Sequence, residues 1–238
     1  MLRNGVTSHQ IAAFLLSAVT LPVSIVALWP LYPPYPCITI VLVYVIIYIL
    51  VIYLTLKDSC YVELKIKCGN GYIRKKFIPQ PDRHVIEDGR CNICDISVEN
   101  GTKHCRKCNY CVPKFDHHCY WLNNCIGGRN YKLFFILVVL IFVASFASFL
   151  TAAVLIFNYF SEDKSIKMNF PAEPFQRFWL IATSIILIIY FVVMLVISNL
   201  LVLHLKLWRT GMTTYKFLLK QRRNKINVHT ISNMSRQV

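Results

Sequence analysis

Seven of the ten cysteines and three of the seven histidines fall between Cys91 and Cys125. Thiolate and imidazole are the usual donors to zinc, and a thiolate is also a nucleophile. Spacing separates the two uses. Cys91-x2-Cys94-x9-His104-x6-Cys111 is one set, and Cys105-x2-Cys108-x9-His118-x6-Cys125 repeats it fourteen residues later. The sets interleave, each starting inside the span of the other. Each supplies three cysteines and one histidine, a complete tetrahedral Zn²⁺ shell. Eight of the ten groups are then ligands, and His117 and Cys119 are left over.

The repeat also explains why Cys119 is spare. Cys105 is followed three residues later by Cys108, whereas Leu122 stands three residues after Cys119. A third repeat begins and lacks its second ligand. Cys119 therefore lies beside two metal sites with an unassigned histidine two positions away, and Asp116 precedes that histidine. Thiol, imidazole and carboxylate in this order form an activated nucleophile: the histidine takes the thiol proton and the carboxylate orients the histidine. The plainer alternative is a spare buried cysteine beside a solvated histidine.

These residues need a frame. Of the 238 residues 56% are hydrophobic, and they come in blocks. Four spans, 11–30, 37–56, 133–157 and 178–203, are long enough to cross a hydrocarbon core of roughly 30 Å and contain no acidic residue or lysine. A cleaved signal peptide does not fit the first span, whose apolar run is too long and which a second span closely follows. The expected class is an α-helical polytopic membrane protein, with four transmembrane helices and a two-zinc, cysteine-rich domain between the second and third. The divisions are a 1–10 stub, a helical hairpin over 11–56, a 57–132 segment holding the zinc domain at 91–132, a helix pair over 133–203, and a basic tail over 204–238. "PLYPPYP" (30–36) turns the hairpin, because proline cannot continue a helix. Trp29, Tyr32 and Tyr35 fit an interfacial belt.

A formal charge of +15 would suggest nucleic acid in a soluble protein. Here its placement points to topology. The 57–132 segment carries fourteen Lys and Arg and the tail eight, while the first inter-span loop carries none. Both termini and the zinc domain are therefore expected in the cytosol, and no nucleic acid partner is expected. In that reducing compartment zinc explains clustered cysteines better than disulfides. The stretch 206–223 mixes basic and bulky apolar residues as an interfacial helix does, with a solvated tail as the alternative. The last dozen residues are expected to be disordered. Asn199, polar within the fourth span, is expected to face the bundle and hydrogen-bond between helices.

The run from Cys91 to Phe134, C-x2-C-x9-HC-x2-C-x2-C-x4-DHHC-x5-C-x4-N-x3-F, resembles the cysteine-rich domain of the DHHC protein S-acyltransferases, or palmitoyltransferases. The four-span layout is similar to that family's over nearly the whole chain. The resemblance implies that Cys119 is acylated, that His117 is the general base polarised by Asp116, and that His118 joins a zinc shell. Three departures stand out. "SVENGTK" (97–103) replaces a basic-Pro-x-Arg stretch, Asp58-Ser59-Cys60 keeps only the aspartate of Asp-Pro-Gly, and "TTYK" (213–216) has Lys216 in place of the glutamate of Thr-Thr-x-Glu.

The expected reaction moves a long-chain acyl group, palmitoyl above others, from acyl-CoA to Cys119 and then to a cysteine of a membrane-associated acceptor protein. Lys132 opens the third span thirteen residues after Cys119, which puts the thiol near the cytosolic face of the bilayer, where an acyl-CoA reaches. Trp121 is placed to close over the thioester, with a plain interfacial tryptophan as the alternative, and Lys114, Arg129 and Lys132 are candidates to meet CoA phosphates, with lipid-facing charge as the favoured alternative for each. Small residues in "VASFASFLTAA" (143–153) leave room for the chain or let helices pack closely. The Golgi or endoplasmic reticulum is expected rather than the plasma membrane. Two rivals compete: a membrane-anchored RING-type ubiquitin ligase, whose ligand order differs and which leaves no spare Cys-His pair, and a zinc-bearing scaffold with no use for Cys119.

Overall fold

The computed structural model describes residues 5–31, 35–73, 75–78, 84–161 and 169–234. Its helices are α1 (Ser8–Ala27), α2 (Tyr35–Leu56), α3 (Val62–Gly69), α4 (Tyr131–Phe160), α5 (Phe175–Thr210) and α6 (Thr214–Met234). Between α3 and α4 lie seven short strands: β1 (Ile86–Glu87), β2 (Arg90–Cys91), β3 (Ile96–Ser97), β4 (Lys103–Cys105), β5 (Tyr110–Val112), β6 (His117–Cys119) and β7 (Asn124–Ile126). The chain divides into two compact units. One comprises residues 6–55 and 133–202, the other 1–5, 56–132 and 203–238.

The first unit is helical. α1, α2, α4 and α5 are each long and apolar enough to cross a membrane, consistent with a multi-pass membrane protein. They cover the four predicted spans with shifted ends. α1 starts at Ser8 because Thr7 and Gln10 form a capping box, Gln10 N donating to Thr7 Oγ1 and Thr7 N to Gln10 Oε1. α5 runs seven residues past the expected end at 203, carrying His204 and Leu207 into buried positions. Inside this unit Trp179 packs with Leu28 and Leu155 and donates its indole N–H to Ala27 O at 3.0 Å. Ser145 and Ala152, seven residues apart on α4, are both buried, so part of the small-residue stretch serves packing. Tyr44 bonds Thr20 and Tyr190 at 2.9 Å each, and Tyr190 bonds Ser24 at 2.7 Å. These four hydroxyls therefore satisfy one another. Asn199 is a correction: it is exposed and donates to Leu195 O one turn back on its own helix, not to a neighbouring helix. Trp29 and Tyr35 are exposed, and Tyr32 lies outside the described residues.

The second unit holds the cysteine-rich domain. Hairpins β4–β5 and β6–β7 pair in the same register fourteen residues apart, His104 opposite Cys111 and His118 opposite Cys125. β1, β2 and β3 form a three-stranded sheet around the first Cys-x2-Cys turn. Each turn closes on a residue with left-handed backbone: Asp95 (φ +53°), Asn109 (φ +53°) and Asn123 (φ +47°). Asp and Asn tolerate this region better than other side chains. The third turn keeps its shape although Leu122 replaces a cysteine. The core is largely the cysteines themselves, with Leu64 of α3, Ile96, Tyr110 and Val112 packed among them. At Gly127 an added Cβ would lie 2.7 Å from Val112 Cγ1 and 2.8 Å from Pro113 O, so only glycine lets β7 leave the hairpin along that path.

The tail differs from expectation. α6 runs to Met234, so the described part of the last dozen residues is helical rather than disordered.

Candidate active site and metal shells

Two groups of four donors come together: Cys91, Cys94, His104 and Cys111, and Cys105, Cys108, His118 and Cys125. They coincide with the two spacing sets. A tetrahedral shell with bonds of about 2.3 Å to sulfur and about 2.0 Å to nitrogen has edges of about 3.5–3.8 Å. His104 Nδ1 lies 3.6, 3.3 and 3.9 Å from the sulfurs of Cys91, Cys94 and Cys111. His118 Nδ1 lies 3.8, 3.3 and 3.7 Å from those of Cys105, Cys108 and Cys125. The donors fit one tetrahedral cation per group. Backbone N–H groups of Cys94 and Cys108 point back at the first sulfur of each turn, as they do around metal thiolates. His104 Nε2 faces Asn109 Oδ1 at 3.2 Å, which fixes the ring with Nδ1 inward. Charge is consistent with a cation at each group. The sulfurs of Cys91 and Cys94 push the Cys111 thiol up, and those of Cys105 and Cys108 do the same to Cys125. Three thiolates cannot share so small a volume uncompensated.

His117 and Cys119 lie outside both groups. His117 Nδ1 is 2.8 Å from Asp116 Oδ2, and the Cys119 side chain hydrogen-bonds the same imidazole. Asp116 is 2% exposed and Cys119 8%, so the carboxylate is dry and the sulfur nearly so. Asp116 is held from a second side. Thr214, the first residue of α6, donates its backbone N–H to Oδ1 and its hydroxyl to Oδ2, each at 2.8 Å. Burial opposes charge on Asp116, but the bonds from His117 and Thr214 outweigh it and hold the carboxyl below the usual range. Burial likewise works against a charged His117, yet Asp116 and Cys119 outweigh it and push the imidazole up to about 9. An ionised carboxylate behind the ring and the adjacent Cys119 sulfur thus favour a protonated His117, the imidazolium–thiolate pairing in which the thiol proton resides on the imidazole.

Sequence reasoning missed two neighbours. His204 of α5 is 1% exposed, and its ring centroid lies 6.2 Å from that of His117. Tyr131 hydroxyl bonds His204 Nδ1 at 3.0 Å. The signal was available: a histidine at the end of an apolar span is a site candidate by default. A further group, at the 58–60 departure from the family pattern, braces the domain. Ser59, fully buried at the place of the missing proline, bonds Tyr110 hydroxyl at 3.0 Å and donates to Asn124 Oδ1 at 3.2 Å, while Asn124 Nδ2 donates to Lys57 O.

The substrate-contact expectations separate. Trp121 is 56% exposed two residues from Cys119. Lys114 and Lys132 are exposed. Arg129 is engaged in structure, donating Nη1 to Cys60 O at 2.9 Å.

Residues 84–221, more than half of the chain, match the DHHC palmitoyltransferase family, and the chain belongs to it. Probable protein S-acyltransferase 15 of Arabidopsis thaliana is 40% identical over 92 residues, covering 39% of this chain and 35% of that protein. Human palmitoyltransferase ZDHHC9 is 31% identical over 121 residues, 48% of this chain and 32% of its own. Human palmitoyltransferase ZDHHC11 is 31% identical over 165 residues, 61% and 40% respectively. The chain thus matches less than half the length of each of these relatives.

Proposed function

We propose that this protein is a membrane-embedded protein S-acyltransferase working through an acyl-Cys119 thioester. The observation that carries the reading is the Asp116–His117–Cys119 arrangement, built on a metal-type hairpin yet outside both shells. His117 accepts the Cys119 proton, and the thiolate attacks the carbonyl of a long-chain acyl-CoA, palmitoyl-CoA above others. The carbon–sulfur bond to CoA breaks, and His117 returns the proton to the departing CoA thiolate. In the second half-reaction the thiol of a cysteine on a membrane-associated acceptor protein loses its proton to His117 and attacks the acyl-Cys119 carbonyl. Cys119 then leaves with that proton. One thioester replaces another, so no further energy source is needed. Asp116, fixed by Thr214, holds Nδ1 and so fixes the orientation of the imidazole beside the sulfur.

Cys91, Cys94, His104 and Cys111 would hold one Zn²⁺ and Cys105, Cys108, His118 and Cys125 a second, and with four protein donors apiece such ions would supply folding energy rather than chemistry. Trp121, with Arg129 and Lys132 nearby in sequence, is the proposed acyl-CoA contact region. The 57–132 segment, its zinc domain at 91–132, and both termini lie on the cytosolic side of an endomembrane, Golgi or endoplasmic reticulum. The basic charge of that segment and of the tail supports this orientation. Purified protein in lipid nanodiscs with labelled palmitoyl-CoA should acquire a hydroxylamine-labile label and pass it to an acceptor cysteine. Absence of any labile label would end this reading, and a zinc content near one per chain would end the ligand division.

A further inference from the structure

The first residue of α6 grips Asp116 through two hydrogen bonds, and the helix then continues unbroken to Met234. Whatever restrains α6 therefore restrains the carboxylate that orients His117. After Glu173 the sequence contains no Asp or Glu, so α6 has no acidic side chain of its own. Lys216, Lys220, Arg222, Arg223 and Lys225 are all exposed, and among the described residues none of them is in an ion pair. Lys216, Lys220 and Arg223, spaced i, i+4, i+7, share one helix face as a continuous cationic stripe. Lys216, where the family pattern has glutamate, opens that stripe. Leu218 (50% exposed) and Ile226 (65% exposed) add apolar surface on the same helix.

The surface such a helix fits is close by along the chain. α5 ends in Lys206, Trp208 and Arg209, all exposed, with Trp208 at 74%. A basic-aromatic helix end of this kind anchors in a headgroup layer. From Thr210 to Thr214 the chain can extend no more than about 14 Å. A cationic helix that starts there lies within reach of an anionic leaflet, whose potential decays over about 8–10 Å.

We infer that α6 is a sensor of anionic lipid: its Lys216–Lys220–Arg223 stripe docks on acidic headgroups of the leaflet and thereby steadies Thr214, Asp116 and His117 for acyl transfer. The inference rests on the proposed acyltransferase reading for its catalytic half and on charge complementarity for its binding half. An acidic protein segment is the competing occupant.

The test uses the full-length protein in nanodiscs of phosphatidylcholine alone or mixed with phosphatidylserine. Amide hydrogen exchange across Lys216–Ile226 and the rate of acyl-Cys119 formation are both measured. With phosphatidylserine, wild type is expected to exchange about fivefold more slowly there, the factor one basic contact with an anionic surface supplies, and to acylate faster. A Lys216→Gln/Lys220→Gln/Arg223→Gln variant is expected to lose both responses while still acylating in phosphatidylcholine. Acyl-CoA, itself anionic, is repelled equally in both proteins, so the ratio of variant to wild type isolates the helix. Equal exchange in the two lipids would overturn the proposal, as would protection by added polyglutamate but not by phosphatidylserine. Protection without faster acylation would overturn the coupling. Failure to acylate in either lipid would defeat the acyltransferase reading, while exchange would still decide lipid docking.

Discussion

Hairpins β4–β5 and β6–β7 share length, register and a left-handed Asn at the turn, yet carry different side chains at their ends. Aligned by the fourteen-residue offset, Thr102-Lys103-His104-Cys105 faces Asp116-His117-His118-Cys119, and Cys108 faces Leu122. The third position, histidine in both, falls within a group of four potential metal donors in both. Three changes convert one into the other. Leu122 removes the second thiol, so Cys119 has no chelating partner on its turn. His117 replaces Lys103 and puts a base beside the sulfur. Asp116 replaces Thr102 and puts a buried carboxylate behind the base. A nucleophile needs a rigid frame, and a metal-type hairpin supplies one cheaply in residues.

The largest effect should come from breaking the feature the hairpins share. His118→Ala and His104→Ala each remove a shell donor and should each lose one zinc per chain by elemental analysis, with much of the folding energy a structural zinc supplies, on the order of 10 kcal/mol. His117→Ala should keep both zincs and lower acylation about 10²–10⁴-fold. The opposite pattern would exchange the roles of His117 and His118. Leu122→Cys should blur the contrast by restoring a Cys-x2-Cys turn. Its acylation is expected to fall about tenfold or more in added Zn²⁺ that leaves wild type unaffected, because a thiolate engaged by zinc is a poor nucleophile.

A subtler change separates charge from shape. Asp116→Asn keeps the size of the side chain and removes the charge that holds His117 up. The acylation rate should fall about tenfold or more, and its pH profile should shift. Stability should follow with a defined sign. His117 is raised in the folded state from 6.5 to about 9, so its contribution is complete below about 6.5 and is lost as pH rises through about 9. Asp116 is lowered, so its contribution is present above the ordinary carboxylate range and is lost as pH falls through its folded value. The wild-type advantage in thermal unfolding over Asp116→Asn should therefore be greatest between these limits and shrink toward pH 9. An advantage that grows from neutral pH toward 9 would count against the His117–Asp116 pair. The smallest effect is expected at Gly127→Ala, where crowding against Val112 and Pro113 should cost about 1–3 kcal/mol in denaturant unfolding with zinc content unchanged.

What could be read from the residues follows physical range. The two ligand sets and the spare His117–Cys119 pair are legible because metal-binding turns are local, with donors a few positions apart. The four spans are legible because length and apolarity decide them. Contacts closed over long stretches of chain are not. Thr214 reaches Asp116 across 98 residues, and Tyr131 meets His204 across 73. Asn199 was misread because α5 is apolar on every face over its span, so periodicity cannot say which way one polar residue points. α6 was missed past residue 223 because its Asn- and Thr-bearing end has little helix propensity of its own.

The most direct measurement is to locate the acyl group by peptide mass mapping after a brief reaction with palmitoyl-CoA, in wild type and Cys119→Ser. The two hairpins make the result sharp, because Cys105 and Cys119 occupy equivalent positions. Label confined to Cys119 in wild type and absent from the serine variant is expected. Label on Cys105 or another ligand cysteine, or undiminished label in Cys119→Ser, would contradict the assignment of Cys119 as the reactive thiol.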